Sequence, residues 1–162
     1  MSETLRTVCL ILLCLVVPVR PGRAEFCQDL ERIVAAAGDG FAELREELIT
    51  NHVDPVSDTR VVWRCLPALP GANRCEVEWL RSTYTYQLLW LRATLEAHAE
   101  TYAAVKALLV GCGVSEKQVS KSGKSTWFVL ESRDDLDIVL AYNLNRVRLS
   151  ISVVGFPNPG LE

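Results

Sequence analysis

The 162-residue sequence predicts an α+β fold, with two αβββ units forming an antiparallel six-stranded sheet, two helices packed on one face and two disulfides. Two segments place apolar residues at steps of three and four, as one face of a helix does. Six segments alternate apolar and polar residues, as half-buried strands do. Their order along the chain is helix, three strands, helix, three strands.

Residues 1–24 have the layout of a secretory signal peptide: a basic start at Arg6, an apolar run at 8–17 and small residues up to Ala24. The apolar run is shorter than the about 20 residues that span a bilayer. No later segment approaches that length. We therefore expect cleavage after Ala24, a single α+β domain at 25–162, no integral membrane segment in the mature chain, and a periplasmic or secreted location.

Removal of this segment makes the chain more acidic. The whole sequence has 17 Lys and Arg against 20 Asp and Glu, and the signal peptide takes away three arginines and one glutamate. The remaining 14 basic and 19 acidic side chains give a net charge of −5. Binding to nucleic acid or to anionic membranes needs excess positive charge, so the sequence argues against both.

The first unit begins with a helix at about 26–37, which Gly38 and Gly40 should end. A short helical turn at 41–47 and a polar loop at 50–59 should follow. Alternation then predicts the first three strands. They are 60–66, 74–80 and 84–90.

The second unit begins with a helix at about 92–110, ended by the glycines on either side of Cys112. A basic, serine-rich loop is expected at 114–124. Three further strands complete the unit, with turns at 132–135 and 143–145 and a tail at 156–160. These strands are 126–131, 137–142 and 146–154.

Four cysteines remain after signal removal, and an even number in an exported domain indicates two disulfides. Cys65 and Cys75 face the same side of one predicted hairpin, about 4.5–5.5 Å apart. Cys27 and Cys112 lie on the core sides of the two helices, near opposite ends, and meet if the helices run antiparallel. Of the three connectivities we therefore predict Cys27–Cys112 and Cys65–Cys75. The spacing does not fit a zinc site.

His98 is the strongest single candidate for a catalytic residue. It could act as a general base with Glu96 or Glu100. Residues two apart do not share a helix face, however, and His98 lies on the apolar stripe. A hydrogen-bonded core histidine is the better interpretation. The other histidine, His52, falls in a predicted loop and should be solvated.

Two further patterns resemble binding motifs but lack essential parts. The run 123–126 looks like the end of a phosphate-binding loop, but Gln118 stands where the motif needs glycine and a strand follows instead of a helix. Asp134, Asp135 and Asp137 lack the spacing of a calcium loop. We expect no cofactor and no bound metal.

One face of the predicted sheet should remain open to water, because both helices pack on the other. Most of the strand aromatics should face the helices: Trp63, Trp79, Tyr84, Tyr86, Trp90, Trp127 and Tyr142. The open face should carry Arg64, Glu76, Glu78, Thr83, Thr85 and Gln87, together with Val62, Leu66, Leu80 and Leu89. Such a mixed surface is either a partner-binding surface or a solvent-exposed sheet face with no binding role.

Several segments also carry a resemblance: the helix 27–37, Gly40-Phe41 with Leu44-Arg45, the run 69–75, and a second helix that ends in a cysteine. In these features the chain resembles small uncharacterised exported proteins of proteobacteria. The resemblance covers under a third of the mature chain. It implies an exported, disulfide-braced α+β domain and carries no active site.

The sequence thus favours a non-enzymatic, exported binding module with a protein partner in the cell envelope. It would act as an inhibitor, an immunity factor or an envelope accessory protein. The alternatives are a small periplasmic hydrolase that uses His98 and a carrier with an apolar cavity between sheet and helices. The sequence identifies neither the target nor the oligomeric state.

Overall fold

The computed structural model describes residues 22–52, 59–66 and 69–157. Two α-helices and eight strands form one helix layer and one sheet layer. In chain order they are α1 (Arg23–Ala36), β1 (Arg45–His52), β2 (Arg60–Cys65), β3 (Arg74–Leu80), β4 (Thr83–Trp90), α2 (Leu95–Gly111), β5 (Ser115–Val119), β6 (Ser125–Leu130), β7 (Arg133–Tyr142) and β8 (Val147–Val154).

All eight strands form a single antiparallel sheet in the order β1-β2-β3-β4-β8-β7-β6-β5. Each unit is one helix followed by four strands, and the last strand of each unit pairs with the last strand of the other at the centre. The α+β class is confirmed. The six-stranded sheet of two αβββ units is wrong, because each unit has one strand more than the sequence predicted.

The predicted short helical turn at 41–47 is present in its first part, as a 3-10 helix at Ala42–Leu44. The first missed strand, β1, takes the rest of that turn and the start of the predicted loop at 50–59. Its apolar residues Leu48 and Ile49 are adjacent in sequence and both exposed, so they give no alternation. The pairing with β2 also shifts register on both sides of Leu48. Bulges of this kind are frequent on edge strands, where they discourage further pairing.

The second missed strand is β5, which lies in the predicted loop at 114–124. All five of its side chains are exposed, and its pairing with β6 shifts register between Glu116 and Gln118. Like β1, it is an outer edge of the sheet. An edge strand with no helix over it needs no apolar face, so its sequence looks like that of a loop.

The first helix starts earlier than predicted, at Arg23, with Gly22 as its N-cap residue. The Arg23 guanidinium donates a hydrogen bond to the Gly111 carbonyl at the end of α2. Apart from residues 22–24, the predicted signal peptide lies outside the described residues. The expected cleavage after Ala24 therefore falls within the first turn of α1.

Gly40 ends the first helical segment in the left-handed conformation, with φ of 68°. A Cβ atom at this position would lie 2.5 Å from the Tyr84 ring, so only glycine fits. The chain then turns into β1. The end of the helical segment thus packs directly against β4 of the sheet.

Both predicted disulfides are confirmed. Cys27–Cys112 joins the start of α1 to the end of α2, with a Cα–Cα distance of 5.3 Å. Cys65–Cys75 joins β2 to β3, with a Cα–Cα distance of 5.1 Å. Such bonds are consistent with an oxidising, non-cytoplasmic location.

The core lies between the helices and one face of the sheet. Its largest fully buried side chains come from both layers: Phe26, Ile33, Phe41, Tyr86, Leu88, Trp90, Leu109, Phe128, Ile138, Leu140 and Leu149. Within the part of the chain that the structure describes, no helix is long and apolar enough to cross a membrane.

Candidate functional site

The face of the sheet opposite the helices is built from successive strands in register. One row of paired positions crosses six strands from β2 to β6. It consists of Arg64, Glu76, Gln87, Ser150, Val139 and Trp127. Alternate side chains on these strands enter the core, so this row points away from both helices. We call this surface the open face.

The predicted surface residues on β2 and β3 form ion pairs with their neighbours. Arg64 pairs with Glu47 of β1 at 2.8 Å, and Glu76 pairs with Arg74 on its own strand. These pairs are exposed on at least one side, so each contributes little to stability. Their effect is to neutralise charge on this part of the open face.

Glu78 is the centre of a second group. Its carboxylate pairs with Arg60 of β2 and accepts a hydrogen bond from the Gln87 amide of β4 at 2.9 Å. Thr85 lies beside it on β4 and hydrogen-bonds the Ser152 hydroxyl at 3.0 Å. The strands β2 to β4 thus present a polar network whose members satisfy one another.

Thr83 starts β4 and is half-buried, with Leu80 as its partner on β3. The apolar members of the predicted surface behave differently from one another. Val62 and Leu89 are buried although they point away from the helices, while Leu66 is exposed. The register of β2, β3 and β4 places Arg64, Glu76, Glu78, Thr83, Thr85 and Gln87 on the same side of the sheet. Their role in binding stays a prediction.

The other half of the open face is less polar. Trp127 is 36% exposed and lies across from Val139, while its neighbours Thr126 and Phe128 are buried on the helix side. Trp127 was among the strand aromatics, most of which were expected to face the helices, and its exposure on the open face corrects that expectation for this residue. The alternation of Thr126 and Phe128 was the available signal, because a tryptophan between two core positions must point the other way.

His98 lies in the core and is 1% exposed. Its Nε2 accepts a hydrogen bond from the backbone N–H of Arg92 at 3.2 Å, and its Nδ1 has no partner among the residues that the structure describes. Glu96 and Glu100 are exposed on the outer side of the helix. This is the environment of a structural histidine. The side chain of His52 lies outside the described residues.

The acidic turn expected at 132–135 is in fact the start of β7. Asp135 forms two hydrogen bonds with the Arg133 guanidinium, at 2.7 and 2.8 Å. These bonds lower the pKa of Asp135 and raise that of Arg133. No group of three potential metal ligands occurs among residues 22–52, 59–66 and 69–157.

Two surface clefts flank the sheet. One, of about 390 Å³, lies beside the Cys65–Cys75 disulfide and includes Arg64, Leu66 and Arg74. The other, of about 380 Å³, lies between the start of α2 and the β7–β8 turn. Its lining residues are Leu95, Glu96, Ala99, Lys124, Tyr142, Asn143 and Leu144. His98 lines neither cleft.

Comparison of the chain with protein-family models, with curated protein sequences and with solved structures finds no significant match. The function of the protein is therefore inferred from the residues of this chain.

Proposed function

We propose that the protein is an exported, disulfide-stabilised binding module that recognises a protein partner in the cell envelope through its open face. The observation that carries the proposal is the exposed Trp127 on a sheet face that neither helix covers among the described residues. Tryptophan is strongly favoured at the centres of protein interfaces. The two disulfides and the signal-like residues 1–24 support an exported location.

The two halves of the open face suit different parts of an interface. Trp127, Val139 and Ala141 offer contact area that a partner can bury, whereas the network around Glu78 offers hydrogen-bonding groups already held in position. A transient interface combines apolar contact area with hydrogen-bonding groups, and the two halves of the open face supply one of these each. An inhibitor, an immunity factor or an accessory subunit would all use such a surface.

Site-specific photo-crosslinking in the native envelope tests this proposal. A photoreactive residue at Ser150, in the centre of the open face, should capture one defined partner, and Trp127→Ala should abolish that capture. The same probe at Gln28, exposed on α1, is the matched control and should capture nothing specific. Equal capture from both positions, or capture that is insensitive to Trp127→Ala, would contradict the proposal.

The alternatives have no comparable observation in their favour. A hydrolase needs a base that can reach its substrate, whereas His98 is buried with Nε2 engaged by the Arg92 backbone. A carrier of apolar ligands needs an enclosed apolar cavity. The two clefts described above, and a third of about 250 Å³ between α1 and the β6–β7 turn, all open at the surface. The binding module remains the function that the geometry supports best.

A further inference from the structure

The arginines on and beside the strands differ in whether a carboxylate pairs with them. Arg60, Arg64 and Arg74 each form an ion pair with a glutamate. By contrast, the guanidinium groups of Arg146, which immediately precedes β8, and of Arg148 on β8 have no hydrogen-bond or ion-pair partner among residues 22–52, 59–66 and 69–157. Both side chains are exposed. Their positive charge is therefore available to a group from outside the described chain.

The register of β8 gives Arg148 no acidic neighbour on the open face. Its paired residues on the two adjoining strands are Leu89 of β4 and Ala141 of β7. The exposed carboxylate of Asp137 on β7 pairs in register with Ser152, four residues further along β8. At about 3.4 Å per residue, that pair is about 14 Å from Arg148. The sheet therefore leaves the charge of Arg148 unneutralised.

The turn between β7 and β8 holds Arg146 close to Arg148. The side-chain oxygen of Asn143 accepts hydrogen bonds from the backbone N–H groups of Asn145 and Arg146, at 2.9 and 3.1 Å. The backbone N–H of Asn143 donates to the Arg146 carbonyl at 3.0 Å, which closes the turn. Arg146 and Arg148 line one small cleft of about 140 Å³. Its other lining residues are Ala141, Tyr142 and Asn143, none of them acidic.

We propose that this cleft, which we call the arginine cleft, binds one carboxylate of the protein partner, from an aspartate or glutamate side chain. A guanidinium group matches a carboxylate with two parallel hydrogen bonds, and such charge-assisted bonds are stronger than those between neutral groups. The volume of the cleft is that of a few water molecules, so it admits a carboxylate group and little more. This inference rests on the proposed function and adds the chemistry of the group that is recognised.

The charge of the whole chain favours a single carboxylate over a polyanion. The sequence has a net charge of −3 at pH 7, and it is more acidic still without residues 1–24. Nucleic acid or an anionic membrane is therefore repelled at long range. The two arginines attract an anionic group only at short range, which suits one acidic side chain on a protein surface.

The position of Trp127 defines where on the partner this carboxylate lies. Trp127, Val139 and Ser150 form one row across three strands, and Arg148 is two residues from Ser150 along β8. Two strand spacings of about 4.8 Å and two residues of about 3.4 Å place the Cα atoms of Trp127 and Arg148 about 12 Å apart. The partner therefore presents an apolar side chain to Trp127 and an acidic side chain at a comparable distance from it.

Binding of a carboxylate without the partner is the first test, with acetate as the probe. Acetate at constant ionic strength should shift the side-chain Nε–H nuclear magnetic resonance signals of Arg146 and Arg148, with half-saturation at about 10 mM. Arg32 is the matched control, because it is exposed on α1 and likewise has no ion pair in the described part of the chain. Equal shifts at all three arginines, or shifts with phosphate but not with acetate, overturn the proposal.

The partner captured by the photoreactive residue at Ser150 gives the second test. Arg146→Gln combined with Arg148→Gln should raise the dissociation constant of that partner about tenfold or more, because charge-assisted hydrogen bonds are lost. Arg32→Gln should leave it unchanged. Replacing the acidic residue of the partner by its amide should cause the same loss, and combining both changes should add nothing further. Retention of both disulfides and of the wild-type unfolding midpoint shows that each variant is folded.

The outcomes separate this inference from the proposed function. A captured partner that binds the combined glutamine variant as tightly as wild type overturns the arginine cleft and leaves the proposed function intact. Absence of any specific capture from Ser150 contradicts the proposed function, and it also overturns the assignment of the carboxylate to a protein partner even where acetate binds.

Discussion

The two helices of this protein bury similar inner sides but turn different outer sides to the surroundings. The exposed residues of α1 include Glu25, Gln28, Glu31 and Arg32, whereas those of α2 are mostly alanine, leucine and valine. Both helices pack on the same face of one sheet, so the core does not explain the difference. The inner sides therefore reflect packing on the sheet, and the outer sides vary independently of it.

Removing the disulfide that joins the two helices should cause the largest loss of stability. Replacing Cys27 and Cys112 together by serine opens a bond between residues 85 apart in sequence, which should cost about 4–5 kcal/mol of unfolding free energy. Replacing Cys65 and Cys75 opens a bond between residues 10 apart and should cost under about 3 kcal/mol. Urea unfolding followed by tryptophan fluorescence measures both. The reverse order would show that the helix contact does not depend on its disulfide.

Truncating a buried leucine on the inner side of either helix should lower the unfolding free energy by a similar amount. Leu30→Ala in α1 and Leu109→Ala in α2 each remove a buried side chain and should lower the unfolding free energy by about 2–5 kcal/mol. The same urea titration measures these losses, with Gln28→Ala as a surface control expected to stay within about 0.5 kcal/mol of wild type. A large difference between the two leucine variants would mean that the helices differ inside as well as outside.

The N-termini of the helices offer a smaller contrast. The Thr94 hydroxyl accepts a hydrogen bond from the Ala97 backbone N–H, whereas Gly22 caps α1 without a side chain. Thr94→Ala should therefore cost about 1 kcal/mol, and Thr94→Ser, which keeps the hydroxyl, should cost little. Thermal unfolding by circular dichroism would detect the shift. Equal losses in both variants would assign the effect to the threonine methyl group instead of the cap.

The smallest effect should be present at neutral pH and disappear in acid. Arg133 donates to the Val34 carbonyl of α1 and pairs with Asp135, whose pKa this pairing lowers. The carboxylate therefore stabilises the fold above its unfolded pKa of about 4, and this contribution is lost as the pH falls further. Asp135→Asn should be slightly less stable than wild type at neutral pH and equal to it in strong acid. A gap that persists in strong acid would contradict the ion-pair origin.

The sequence predicted the interior of the sheet well and its edges poorly. The strands β2, β3, β4, β6 and β8 lie close to their predicted bounds because each buries one side and so alternates. The strands β1 and β5 have one neighbour each and bulged pairing, so no periodic signal marks them. Each half of the sheet therefore has one strand more than the sequence predicted.

Some features of the candidate site could likewise be predicted from the sequence and others could not. Alternation placed the polar residues around Glu78 on the open face, since the direction of a side chain follows from its position in the strand. It did not give the partners of these residues, because Arg60 and Gln87 come from different strands and their contacts depend on register. Nor did residue type reveal Trp127, because tryptophan on a strand is more often a core residue.

The two disulfides are nested in the sequence: Cys65–Cys75 lies wholly inside the loop that Cys27–Cys112 closes. If the chain enters an oxidising compartment N-terminus first, Cys27 arrives before every other cysteine of the domain and its partner arrives last. Pairing in order of arrival would join Cys27 to Cys65, which is the wrong bond. Correct maturation therefore requires Cys27 to stay reduced, or to be released from an early partner, until α2 has been delivered.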